Sequence, residues 1–209
     1  MSRIINLIFL QFETLFSLKK YMTLIIGLAI FMVFIQPDML PFAGAMFIMA
    51  TCYNTAFYEE KSKVNYLIYS LPVKSTEYIL SKYIFVAINT LISIGILSII
   101  YKIMLSFQRF NVVSKIPLWA FILVLAGIGI FMMTILVPLQ VLLNFEKARI
   151  VLVFLTVFPI VYSTELTKIL PTVNLNNNIF KILIILCIVT LILVSYFITS
   201  NLYLKKDIE

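Results

Sequence analysis

The sequence predicts an all-α, polytopic membrane protein with six transmembrane helices, an N-terminal amphipathic interfacial helix and a short cytoplasmic helix between the second and third spans. Three observations carry that expectation. Of the 209 residues, 63% are hydrophobic and 12% charged, with a mean hydropathy of +1.10, a balance foreign to soluble domains. The apolar residues fall into six runs near the ~20 residues that a helix needs to cross a ~30 Å hydrocarbon core. Seven of the 25 charged residues crowd into one stretch, Tyr58 to Lys82, between two uncharged runs. The chain therefore reads as a single transmembrane domain over 1–209 with no separate soluble enzyme domain.

Residues 1–19 precede the first span and carry their own pattern. Ile4, Ile5, Ile8, Phe9, Phe12, Leu15 and Phe16 share one arc of a helical wheel, with Arg3, Asn6, Glu13, Thr14 and Ser17 mostly on the other. That arrangement suits a helix resting in the inner membrane interface; a frayed lead-in to the first span is the alternative. The stretch from Tyr21 to Pro37 leads into Asp38 rather than a small-residue cleavage site, so the first span is expected to be retained.

The six spans are placed at about 20–36, 40–58, 80–101, 117–144, 150–166 and 182–204, with 59–79 as the cytoplasmic loop between the second and third. Pro41 and Pro117 fall near first turns, where a missing N–H costs little, and Trp119 is placed as an interfacial anchor. The fourth run has 30 uncharged residues from Ile116 to Phe145 and is expected to tilt, kink near Pro138 or protrude. Between the last two spans, Glu165, Lys168, Pro171 and the run Asn174 to Asn178 suggest either a re-entrant pair of segments, aided by Pro159, or an ordinary surface loop.

Setting the N-terminus in the cytoplasm puts 11 of the 16 basic residues inside and Lys102, Arg109, Lys115, Lys168 and Lys181 outside. The positive-inside rule favours this orientation, with both termini cytoplasmic. The net charge of +7 is spread among apolar segments, which fits membrane orientation and not a nucleic-acid partner. Cys52 and Cys187 lie in apolar runs, where a thiol acts as a small hydrophobe.

Within the charged loop, Val64, Leu67, Ile68 and Leu71 repeat at i, i+3, i+4 and i+7, flanked by Lys63, Asn65, Tyr66 and Ser70. This predicts a short two-faced helix. Pro72 should end it, and Ser75 or Thr76 should cap the next helix with Glu77 in its first turn, leaving Lys82 to snorkel toward headgroups. A positive-inside signal needs neither an apolar stripe nor a proline break.

The segments Glu59-Glu60-Lys61, Ser70-Leu71-Pro72-Val73 and Ser81-Lys82-Tyr83, about 25 residues in all, resemble the corresponding region of the type-2 ABC transporter permease family, and the six-span layout extends the resemblance along the chain. In that family the loop between the second and third spans holds a coupling helix that contacts a separate ATPase. The resemblance thus implies that Ser62 to Leu71 is the coupling helix, with Lys63, Val64, Leu67, Ile68, Leu71 and Pro72 at the ATPase contact. Glu59, Glu60, Glu146, Lys147 and Arg149 are secondary candidates, or simply orienting charges. It further implies cytoplasmic ATPase partners that bind ATP and Mg, a second permease chain as homodimer or heterodimer, a bacterial cell membrane, and export of cargo such as the amphipathic toxin peptides called phenol-soluble modulins.

The five glycines form no phosphate-binding loop, so ATP is expected to bind another chain. Glu59-Glu60 superficially resembles the paired glutamates of CPBP intramembrane proteases, but those enzymes also need histidine, and this chain has none. The same lack, with isolated cysteines, argues against a zinc site; no catalytic residue and no metal ligand is assigned. Asn54, Thr55, Asn89, Thr90, Gln140 and Asn144 are polar positions in the spans that either line a substrate path or hydrogen-bond between helices. No ionisable group falls deep in a span, which disfavours a secondary transporter. A non-transporting scaffold or immunity protein remains the alternative.

Overall fold

The computed structural model describes residues 2–36, 39–62, 73–106, 117–143, 145–169 and 178–205, among which no strand occurs. The helices are α1 (Ser2–Ser17), α2 (Lys19–Ile35), α3 (Leu40–Lys61), α4 (Ser75–Ser106), α5 (Leu118–Phe131), a π turn (Met132–Leu136), α6 (Val137–Leu142), α7 (Phe145–Ile169) and α8 (Asn178–Leu204).

Four described segments are long and apolar enough to cross a membrane: Leu40–Lys61, Ser75–Met104, Leu118–Leu142 and Ile184–Leu204; α1 and α2, which meet at 61°, would together make a fifth. Two of the six expected spans are less clear-cut. With 17 residues, α2 reaches about 26 Å at ~1.5 Å per residue, short of a ~30 Å hydrocarbon core. In α7 only 15 uncharged residues separate Arg149 from Glu165.

The bundle is organised around α3, which packs against α7, α2, α4, α5 and α1. Such a helix must be apolar on every side and narrow enough for its neighbours to approach, and Ala43, Gly44 and Ala45 meet the second need. A Cβ on Gly44 would lie 2.9 Å from Leu125 Cδ2 and 3.1 Å from Leu97 Cδ1. Gly129 of α5 is tighter still, since a Cβ there would sit 2.4 Å from Thr90 Cγ2 and 3.0 Å from Thr90 Cβ. Gly129→Ala is expected to cost about 1–3 kcal/mol by overpacking, and Thr90→Ala in the same chain should recover most of it, as read from thermal melting in detergent.

Neighbouring long helices run antiparallel. Tyr101 near the end of α4 stacks on Phe121 near the start of α5, with ring centroids 5.5 Å apart. Tyr78 and Tyr83 near the start of α4 meet Tyr203 and Tyr196 near the end of α8, at 6.0 and 5.7 Å. The outer surface is apolar: Ile185, Leu186, Val194 and Phe197 of α8, Leu91 and Ile99 of α4, and Phe154 and Phe158 of α7 are each more than half exposed. Such a surface belongs against lipid or another apolar partner, because water would penalise it at roughly 25 cal/mol per Å².

Several expectations are corrected in detail. The face that α1 buries is centred on Leu7, Gln11 and Leu15, continuing to Leu18, whereas Ile5, Phe9 and Phe16 point outward. The apolar arc is wider than one contact face, and packing against α3 and α4 selects its edge. α7 runs unbroken through Pro159, as apolar helices tolerate a proline when the freed carbonyl is otherwise accommodated. The fourth span does break regularity near Pro138, as a π turn just before it, and ends at Leu143, where the backbone becomes extended.

Candidate functional site

The antiparallel arrangement brings Glu59 and Lys61 of α3 to the same pole of the bundle as Lys74, Glu77 and Lys82 at the start of α4. The end of α3, the start of α4, the end of α8 and much of α1 all meet there. Tyr21 at the start of α2 packs on Tyr58 near the end of α3, with ring centroids 6.2 Å apart.

The helix of α3 continues to Lys61 and that of α4 starts at Ser75, both inside the stretch 59–79 placed between the second and third spans. Ser62 closes α3: its N–H donates to the Tyr58 carbonyl at 2.9 Å, and its hydroxyl donates to the same oxygen. Lys61 in the last turn suits the negative end of the helix dipole. At the other side neither Ser75 nor Thr76 is the cap. Lys74 takes that position, and its N–H donates to Glu77 Oε2 at 3.2 Å, the reciprocal half of a capping box. Glu77 lies in the first turn as expected. The proposed coupling residues Lys63, Val64, Leu67, Ile68, Leu71 and Pro72 lie outside the described residues.

What holds the two ends of this connection together is an ion pair between Lys82 Nζ and Glu59 Oε2. Lys82 therefore turns inward instead of snorkelling to headgroups, and its ammonium also sits 5.1 Å from the centre of the Tyr78 ring. The Glu59 residue is only 6% exposed. A carboxylate so buried requires its cation, since desolvating either charge alone is expensive. At the neighbouring residue, Gln11 of α1 donates from Nε2 to Ser81 Oγ at 3.3 Å, and Ser81 donates to the Tyr78 carbonyl at 2.7 Å. Phe12 meets Phe85 edge-on at 5.0 Å. The N-terminal helix is thus docked on the same turns of α4 that carry Lys82.

Away from the pole, a polar layer crosses the α3–α4 interface. Asn89 Nδ2 donates to Thr51 Oγ1 at 2.6 Å and approaches Cys52 Sγ at 3.5 Å. Thr55 donates to the Thr51 and Cys52 carbonyls, and Thr90 to the Val86 carbonyl at 2.7 Å. Thr55, Asn89 and Thr90 are buried within this bundle. Asn54 and Gln140 are half-buried, and Gln140 Nε2 is enclosed without a hydrogen-bond partner. Asn144 lies outside the described residues. Glu60 is half-buried beside Glu59. Glu146, Lys147 and Arg149 fall in the first turns of α7.

Among the described residues no three His, Cys, Asp or Glu side chains converge as a metal site. What the pole offers is mechanical: two long antiparallel helices tied by a buried ion pair, with a 13-residue connection from Ser62 to Lys74 joining them, braced by an amphipathic helix. The role of Lys82 and Gln11 was not visible in one-dimensional patterning. The available signal was opposite charge at either side of a short inter-span loop.

The family model described as ABC-2 family transporter protein matches residues 6–204, nearly the whole chain. Neither a curated protein nor a solved structure matches it.

Proposed function

Since the chain belongs to the ABC-2 family of transporter proteins, a multi-pass membrane family whose permeases work with an ABC ATPase, we propose that it is the permease subunit of an ATP-driven exporter for a hydrophobic or amphipathic cargo, with peptides of the phenol-soluble modulin kind as the candidate class. In this reading the 62–74 connection is the coupling element, the pole that carries it faces the cytoplasm with both termini, and a second permease chain completes the pathway. ATP and Mg are bound and turned over by the partner, and this chain contributes no catalytic residue. Nucleotide binding in the ATPase would bias inward- against outward-open states, with the α3–α4 pair as the lever.

The observation that supports this most is the Glu59–Lys82 tie directly beneath the connection. A force applied at the tip of a helical hairpin moves both helices only if their stems are joined. A plain orienting loop has no need of a buried ion pair that costs desolvation energy. Inverted membrane vesicles containing the chain and its ATPase should accumulate an amphipathic helical peptide when given ATP and fail to do so with a non-hydrolysable analogue. Equal accumulation with both nucleotides would defeat the reading.

A further inference from the structure

The π turn Met132–Leu136 lies immediately before Pro138, and the two together create a specific hydrogen-bond deficit. In the π register each carbonyl pairs with the N–H five residues on, as the Val137 N–H does with the Met132 carbonyl. The next bond in that register would join residue 138 to the Met133 carbonyl. The α-register partner of the Thr134 carbonyl would also be residue 138. Proline has no N–H, so residue 138 can serve neither carbonyl in either register, in a segment where lipid cannot supply the missing donor.

The same two oxygens are the ones reached from α8. Ser195 Oγ donates to the Thr134 carbonyl at 3.0 Å and lies 3.4 Å from the Met133 carbonyl. With its single proton committed there, Ser195 is the acceptor in its 2.8 Å contact with Tyr83 Oη. Thr199, whose hydroxyl donates to the Ser195 carbonyl, sits 3.3 Å from the same phenol oxygen as a second acceptor. The direction of the chain is therefore fixed: Tyr83 to Ser195 to the π-turn carbonyls, linking α4, α8 and the break between α5 and α6.

We infer that Ser195 is a positioning residue that supplies from another helix the hydrogen bond withheld by Pro138, so that Ser195 and Tyr83 form a polar latch on a hinge at Met132–Leu136. Most of α8 is otherwise exposed apolar surface, and this latch sets its register against the break. Release of Ser195 is then the event that lets α6 change its angle to α5.

The test is a double-mutant cycle on the full chain in nanodiscs, combining Ser195→Ala with Pro138→Ala. Alone, Ser195→Ala should lower the melting temperature by about 2–4 °C and raise amide exchange across residues 132–143. Where Pro138→Ala has restored an N–H, the same serine change should cost less than about 1 °C, as expected when two substitutions act on one hydrogen-bond deficit. An equal loss in both backgrounds, or none in either, overturns the latch, since a serine that merely packs would not be rescued by a backbone N–H. Should Ser195→Ala fail to yield folded protein, recovery upon adding Pro138→Ala is the supporting result and continued failure the overturning one.

Discussion

Lys82→Ala is expected to destabilise the bundle by about 3–5 kcal/mol, because it strands the Glu59 carboxylate without its cation. The position decides the size. An exposed ion pair between flexible side chains is worth about 0–1 kcal/mol, but Glu59 is 6% exposed, and the Lys82 and Glu59 side chains are 12% and 8% exposed. The Tyr78 ring beneath the ammonium is a further partner lost with the lysine. Replacing both members, as in Glu59→Gln with Lys82→Met, removes the stranded charge and should cost less than the single change. Unfolding in mixed micelles of increasing denaturing detergent measures both. A single-mutant loss below about 1 kcal/mol would class the pair with surface bridges and weaken its role as the joint of the α3–α4 lever.

A second large effect is expected from charging the apolar stripe in the connection. Leu67→Asp with Ile68→Asp should abolish partner-driven transport while leaving membrane insertion intact. If both side chains dock in the ATPase, their loss removes about 1.5–3 kcal/mol of apolar burial each. At 1.4 kcal/mol per tenfold, that weakens binding by roughly 10²–10⁴-fold before any cost of burying carboxylates. Insertion is set by the long spans and flanking lysines, which these changes leave alone. Undiminished transport and ATPase retention in the double mutant would remove Leu67 and Ile68 from the contact.

The long helices were legible because length and hydropathy act locally. Ser75–Met104, Leu118–Leu142 and Ile184–Leu204 overlap three expected spans, and the irregularity near Pro138 followed from a missing N–H alone. Helix ends were harder: hydropathy stops near Tyr58 and restarts near Leu80, yet the backbone bonds of α3 and α4 extend to Lys61 and Ser75, sustained by capping and not by lipid. Pro159 shows the converse, since of the two readings left open for this region the one that used a break at the proline is not the one adopted: α7 continues through it. The features that shape the pole were hidden for a different reason. Glu59 and Lys82 are 23 residues apart, and Gln11 and Ser81 are 70, so their pairing depends on which faces the packed helices present. Likewise nothing around Ser195 announces that it will serve two carbonyls 61 and 62 positions away.

The central claim, that this chain is the permease of an ATPase-driven exporter, is tested most directly by isolating it, tagged and from its native membrane, in mild detergent and measuring nucleotide hydrolysis by the purified complex. The account predicts that a P-loop ATPase co-purifies in fixed stoichiometry and hydrolyses ATP, and that Leu67→Asp with Ile68→Asp releases it from a chain that is still folded. A folded chain recovered without any ATPase, under conditions that preserve other membrane complexes from the same cells, would contradict it.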